Sequence, residues 1–270
     1  SLLIIIFSIL NIVFSSYFVM SLNLNVFGVA LGTLASSYIT IFIYLLFTYK
    51  FIIDKFQIVP KYHRIFVLPK LLKLLTINFD IFIRTLILTF SFVWVTYLGS
   101  KLGEDILAIN TILMQFVILA AFFLDAYAFS TEGLVGFTIG RKNKKSFLMI
   151  VRNSIQLSFF TALIISLIFL IFFKLLINLI TDVEILRFIS YKHAIWIIII
   201  PPIASFCYQL DGIFIGASQT KEMRNAMIFS VISFIIISIY SVKFYSNHGI
   251  WFSLLLFMII RSITLKFYFN

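Results

Sequence analysis

Charge is scarce in this 270-residue sequence: 11% of positions are Asp, Glu, Lys or Arg, against 62% hydrophobic, with a mean hydropathy of +1.13. A soluble domain of this size needs far more charged surface, so an integral membrane protein is implied. Two-residue alternation is missing too, and the apolar runs outlast the roughly ten residues of a barrel strand, which leaves membrane-spanning helices. Cysteine is nearly absent; Cys207 alone excludes an intrachain disulfide. The three histidines, His63, His193 and His248, fall at span ends and are too scattered for a metal site. The opening Ser1-Leu-Leu-Ile-Ile-Ile carries neither an initiator Met nor a basic leader, unlike a signal peptide. It reads as the interior of a span in the later part of a longer protein.

What is present is a net charge of +11, gathered into short loops between apolar runs. Nucleic acid is a poor explanation for that placement; orientation by cytoplasmic Lys and Arg is a better one. The fold class is therefore all-α, a polytopic membrane helix bundle. Eight spans are predicted, at about 1–22, 26–49, 74–98, 106–140, 147–180, 191–217, 226–245 and 249–269. Residues 50–73 hold Pro60, His63 and Pro69 with six basic residues against Asp54. They form a cytoplasmic linker between a two-helix segment (1–49) and a six-helix lobe (74–270). The parity is self-consistent: Arg141–Lys145, Lys221–Arg224 and Lys266 then fall on the same side as the linker. A weak internal repeat relates the turn into the second span at Asn25 to the turn into the eighth at Asn247.

Several charges lie inside spans, where each is costly and tends to mark a cavity, a partner or a path. Asp80 and Arg84, four apart, read as a local structural ion pair. Asp125 lies sixteen residues from Arg141, about 24 Å, which places it towards the outer leaflet. Glu132 lies nine residues from Arg141, and Asp211 ten from Lys221, so both read as level near mid-membrane. Neither has a base within four residues on its own helix. Each must be protonated, solvated in a cavity or paired across helices, with Arg261 the available cross-helix partner. Pro201-Pro202 should kink the sixth span. Gly136 and Gly140 follow Glu132, and Gly212 and Gly216 follow Asp211, at the spacing that lets helices pack closely.

The run LDAYAFSTEGLVGFTIGRKNKKSF (124–147) resembles the eighth helix of the multidrug and toxic compound extrusion (MATE) family, in its DinF-like branch. Tyr208 to Met227 is similar to that branch's tenth helix and following loop, Asn78 to Thr85 to the opening of its seventh, and Asn11 to Ser37 to its fifth and sixth. The resemblance implies twelve helices in two six-helix lobes, of which this chain holds the last two helices of the N-lobe and the whole C-lobe. It implies a secondary antiporter that expels cationic or amphipathic compounds in exchange for H⁺ or Na⁺. The chain departs from the family pattern at Asp125-Ala126 and Glu132-Gly133. The first helix, where a proton-coupling aspartate is expected, lies outside it.

Taken together, these readings predict a membrane transporter rather than an enzyme, in a bacterial inner membrane. Glu132, Asp211, Asp125 and Tyr208 would line the coupling and substrate cavity, with Tyr127 and Phe129 as further aromatic candidates to hold an organic cation. No cofactor beyond the coupling ion is expected. The expected partners are membrane lipid, the organic cation and the N-terminal helices of the same protein, with no nucleic acid. A related flippase would want basic residues facing the cavity, and an intramembrane aspartyl protease would need Glu132 and Asp211 to share one site. A non-transporting fragment is the remaining alternative. On this reading Asp211→Asn abolishes efflux and leaves insertion intact.

Overall fold

Long apolar runs with no side chains able to satisfy a free backbone leave the helix as the only economical conformation in a bilayer. A computed structural model of the chain, which describes residues 2–56 and 67–269, is helical almost throughout. Its elements are α1 (Leu2–Met20), α2 (Asn25–Phe56), α3 (Leu68–Lys101), α4 (Glu104–Gly140), α5 (Lys144–Ile180), α6 (Glu184–Gly216) and α7 (Thr220–Phe269). All seven are long and apolar enough to cross a membrane. The chain divides into two compact units, Ser1–Leu68 and Pro69–Asn270.

The predicted 50–73 linker is shorter than expected. Helix α2 continues to Phe56, and α3 begins at Leu68 with Pro69 in its first turn, where a missing N–H costs nothing. Pro60, His63 and the basic residues Lys61 and Arg64 lie outside the described residues.

The predicted seventh and eighth spans are the two arms of α7. At Ser246 the backbone turns to φ 49°, ψ −127°, and the helix folds back on itself. Phe234 and Phe257, on either side of that bend, bring their rings to 5.5 Å. Gly249 makes the approach possible: a Cβ there would stand 2.3 Å from the Ser241 carbonyl oxygen. The hairpin between α1 and α2 is built in the same way. Asn25 has φ 45°, and a Cβ on Gly28, three residues later, would come within 3.0 Å of the Phe18 backbone. The repeat seen between Asn25 and Asn247 is thus one hairpin device used twice: a left-handed residue, then a glycine one turn on.

Pro201 and Pro202 sit inside α6 without ending it. The helix loses rungs of its hydrogen-bond ladder there, since proline has no N–H to give, and tertiary packing holds the element together. The core of the larger unit runs from Val95, Leu113 and Trp251 through Phe234 and Phe257 to Ile197 and Cys207. A smaller cluster of Val135, Leu210, Ile213, Met223 and Leu265 packs the basic end. At the other end, Trp251 Nε1 donates to Asn110 Oδ1 (2.9 Å), and Asn110 Nδ2 donates to Asn247 Oδ1 (2.7 Å), tying the bend of α7 to the start of α4.

Helices α4 and α6 run parallel and nearly touch. A Cβ on Gly212 would lie 2.4 Å from the Ala128 carbonyl oxygen, and one on Gly216 would lie 2.4 Å from that of Glu132. Gly212→Ala therefore forces the two helices apart. The expected cost is that of overpacking, about 1–3 kcal/mol, read as a lower thermal midpoint in detergent; a midpoint equal to wild type would show that the contact yields freely.

Candidate functional site

The glycine contacts fix the register of the two helices that carry the acids. With Ala128 opposite Gly212 and Glu132 opposite Gly216, Asp211 stands about level with Tyr127. Asp125 is then two residues away along the axis, about 3 Å, whereas Glu132 is five residues nearer the basic end, about 7.5 Å. The expected level pair of Glu132 and Asp211 is not formed. The count from the flanks misled because α6 ends at Gly216 and turns through Ala217 and Ser218 (φ 58°), so Lys221 does not lie on its axis. Asp125 is the acid that accompanies Asp211. It sits near the middle of the 37-residue α4 rather than towards its outer end.

Asp211 is buried at 3% exposure, and its Oδ2 accepts from two guanidiniums at once, Arg84 Nη2 on α3 and Arg261 Nη2 on the second arm of α7. The Arg261 side chain is 1% exposed and that of Arg84 16%. The sequence offered Arg261 as a partner but assigned Arg84 to Asp80, and that local pair is not made. Asp80, itself 3% exposed, accepts from Arg224 Nη1 (2.6 Å) and Thr220 Oγ1 (3.1 Å), both at the start of α7. The physical reason is one of scale. A same-helix pair contributes about 0.3–0.5 kcal/mol, while a buried carboxylate left without a strong partner costs several. Each acid has therefore recruited its partner from another helix.

Asp125 and Glu132 are half-buried, and among the described residues neither has a basic group within ion-pair range. Asp125 nonetheless lies within electrostatic reach of Arg84, Arg261 and Asp211. The cluster is thus two guanidiniums, one engaged carboxylate and one unengaged one. Arg84 Nε, Arg261 Nη1 and Asp211 Oδ1 are buried in it with no further partner among the described residues. Gln209, given no role on sequence grounds, is fully buried on α6; its Oε1 accepts from Thr131 Oγ1 (3.0 Å), bridging α6 to α4.

The aromatic candidates divide. Tyr208 is 6% exposed and belongs to the core cluster. The Tyr127 hydroxyl is tied down by the Thr161 hydroxyl, which donates to it at 2.9 Å. Phe129 is 71% exposed and turned outward. They do not converge on one point.

His193 and His248, far apart in sequence, stack with ring centroids 4.3 Å apart. Trp196 Nε1 donates to His248 Nδ1 (3.0 Å), and His193 Nδ1 is held by the Ile189 carbonyl (2.8 Å). The two meet despite their separation in sequence; among the described residues no group of three or more His, Cys, Asp or Glu able to hold a metal occurs.

Residues 81–242 match the MatE family. DNA damage-inducible protein F of Escherichia coli (strain K12) is 33% identical over 249 residues, which is 92% of this chain and 54% of that protein. The crystal structure of the Vibrio cholerae MATE transporter VcmN in its bent form superposes with a TM-score of 0.84 at 18% identity, over 98% of this chain and 60% of that one. A MATE structure in the straight conformation gives a TM-score of 0.85 at 16% identity, over 99% of this chain and 60% of its own. At those identities the structures show the fold alone. The chain spans little more than half the length of the curated relative it matches.

Proposed function

Because the chain belongs to the MatE family of membrane transporters, we propose that it exports cationic or amphipathic small molecules in exchange for H⁺ or Na⁺, with Asp125 as the exchanging carboxylate and Glu132 as a second, more cytoplasmic one. The observation that carries this reading is an acid without a basic partner set beside an over-compensated one. Two guanidiniums on Asp211 leave one uncancelled positive charge. An ionised Asp125 cancels it, so an unloaded Asp125 does not leave a bare charge in the low-dielectric interior. When a proton, Na⁺ or an organic cation occupies Asp125, the pairs of Asp211 are untouched. The loaded state then leaves the excess positive charge uncancelled, which limits how tightly a cation is held and favours its release, as a carboxylate that loads and unloads repeatedly needs.

Competition of unlike cations for one carboxylate is the chemical basis of exchange. A state that has taken up the coupling ion cannot also hold the substrate, and alternation of access then makes the traffic opposite in direction. Asp211 has a different task. Bound from α3 and from α7, it clamps three helices together and sets the local charge to which Asp125 responds. The reading places the protein in a bacterial inner membrane, as befits a relative of an Escherichia coli protein, and has it work together with N-terminal helices of the same protein.

Reconstituted protein given an imposed ΔpH, then an imposed ΔNa⁺, is expected to drive efflux of an organic cation such as tetraphenylphosphonium under one gradient and not the other. Equal, gradient-independent leakage under both would remove the exchange reading.

A further inference from the structure

The end of the larger unit carrying Arg141–Lys145 has a feature to which the exchange reading assigns no role. A cavity of about 640 Å³ opens there between the start of α5, the end of α6 and the end of α7. Its walls are mixed, with Phe147, Phe214, Ala217 and Phe269 forming an apolar side and Lys144, Gln219 and Glu222 a polar one. A second cavity of about 310 Å³ shares Lys144 and Phe147 and adds Lys142. Phe147 and Phe269 stack across the boundary at 6.2 Å. The volume falls in the range that holds small organic ligands, roughly 300–1,000 Å³. Four of the five residues from Arg141 to Lys145 are basic and none is acidic.

We infer that this groove is a binding site for one anionic phospholipid of the inner leaflet, of the phosphatidylglycerol type. An acyl chain would lie against the aromatic walls, and the phosphodiester would sit on Lys142 and Lys144. Charge complementarity selects this occupant. The positive bias of this end assigns it to the cytoplasmic face, and basic pockets between helices on that face attract anionic headgroups. Glu222 refines the choice. Its carboxylate repels a phosphate placed directly on it but accepts hydrogen bonds from a headgroup that carries hydroxyls, so phosphate and polyol are expected on opposite sides of the groove.

The site also bears on the charge cluster. Ile213, on the lining, is two residues beyond Asp211, and Phe269 is eight beyond Arg261. A lipid held here braces the ends of the two helices that carry that pair, so the bound lipid is expected to stabilise the fold whatever the protein transports.

The test is native mass spectrometry of the purified protein from mixed micelles containing equal amounts of phosphatidylglycerol, phosphatidylethanolamine and phosphatidylcholine. One phosphatidylglycerol is expected to be retained at least tenfold over either of the others. Lys142→Gln with Lys144→Gln, both exposed, should lower that preference about tenfold, and Ala217→Trp, which fills the groove, should abolish retention. Lipid-free melting curves establish that the variants fold. Equal retention of the three lipids, preference for phosphatidylethanolamine, or phosphatidylglycerol retention unchanged in both variants would each overturn the inference.

Discussion

Asp211→Asn is expected to destabilise the protein by about 3–5 kcal/mol, the usual cost of removing one member of a buried ion pair. The amide keeps the volume of the carboxylate and loses its charge, leaving Arg84 and Arg261 facing each other across a neutral group. Arg261, at 1% side-chain exposure, has no route to water and takes the larger share of the penalty. The loss should appear as a large drop in thermal midpoint and a smaller monodisperse fraction in detergent. Replacing Arg261 by Met alongside Asp211→Asn should restore part of it, because one stranded charge goes with its partner. The sequence alone put exchange on Asp211 together with Glu132 and expected the Asn variant to lose efflux with insertion intact; two guanidiniums on its carboxylate argue instead for a clamp. An Asp211→Asn protein that melts with wild type would return it to the exchanging role.

Asp125→Asn should do the reverse. Asp125 is half-buried and makes no ion pair, so its replacement is expected to lower the melting midpoint less than Asp211→Asn does. Gradient-driven efflux should fall at least a hundredfold. The amide cannot bind a cation in place of a proton, and it leaves the excess positive charge of Arg84 and Arg261 permanently uncancelled, an imitation of the loaded state that cannot unload. Proteoliposomes matched for inserted protein would show this directly. Glu132→Gln, five residues nearer the basic end and away from the arginines, should give a milder loss, seen in the apparent affinity for the organic cation. Efflux at wild-type rates in Asp125→Asn would exclude that residue from exchange.

Much of the architecture was legible from hydropathy, because a bilayer leaves so few alternatives to a helix. Span ends differed by up to seven residues, as at α6, which starts at Glu184, but the order of the helices, the parallel course of α4 and α6 and the hairpin turns near Asn25 and Asn247 could all be read in the chain. The partners of the charges could not. A sequence shows neighbours along a helix, so Asp80 was assigned to Arg84, one turn away; burial at 3% made Arg224, on another helix, the stronger partner. Depth was equally hard to read. Counting back from Lys221 assumed that α6 runs straight to its flank, while the turn at Ala217 and Ser218 shortens it and moves Asp211 away from the level of Glu132. Gly212 and Gly216 did signal a close helix contact, and their four-residue spacing was the clue that could have set the register. His193 and His248 meet only because the bend at Ser246 returns the chain to the same end as the first half of α6.

The most direct measurement is of the ion released when tetraphenylphosphonium is added to detergent-solubilised protein, followed with a pH indicator and, in parallel, a Na⁺-selective electrode. Wild type should release one of the two ions in step with binding, Asp125→Asn should release neither, and a well-folded Arg84→Lys should still release it. Undiminished release from Asp125→Asn would mean that another carboxylate exchanges the ion, and the division of labour between Asp125 and Asp211 would be wrong.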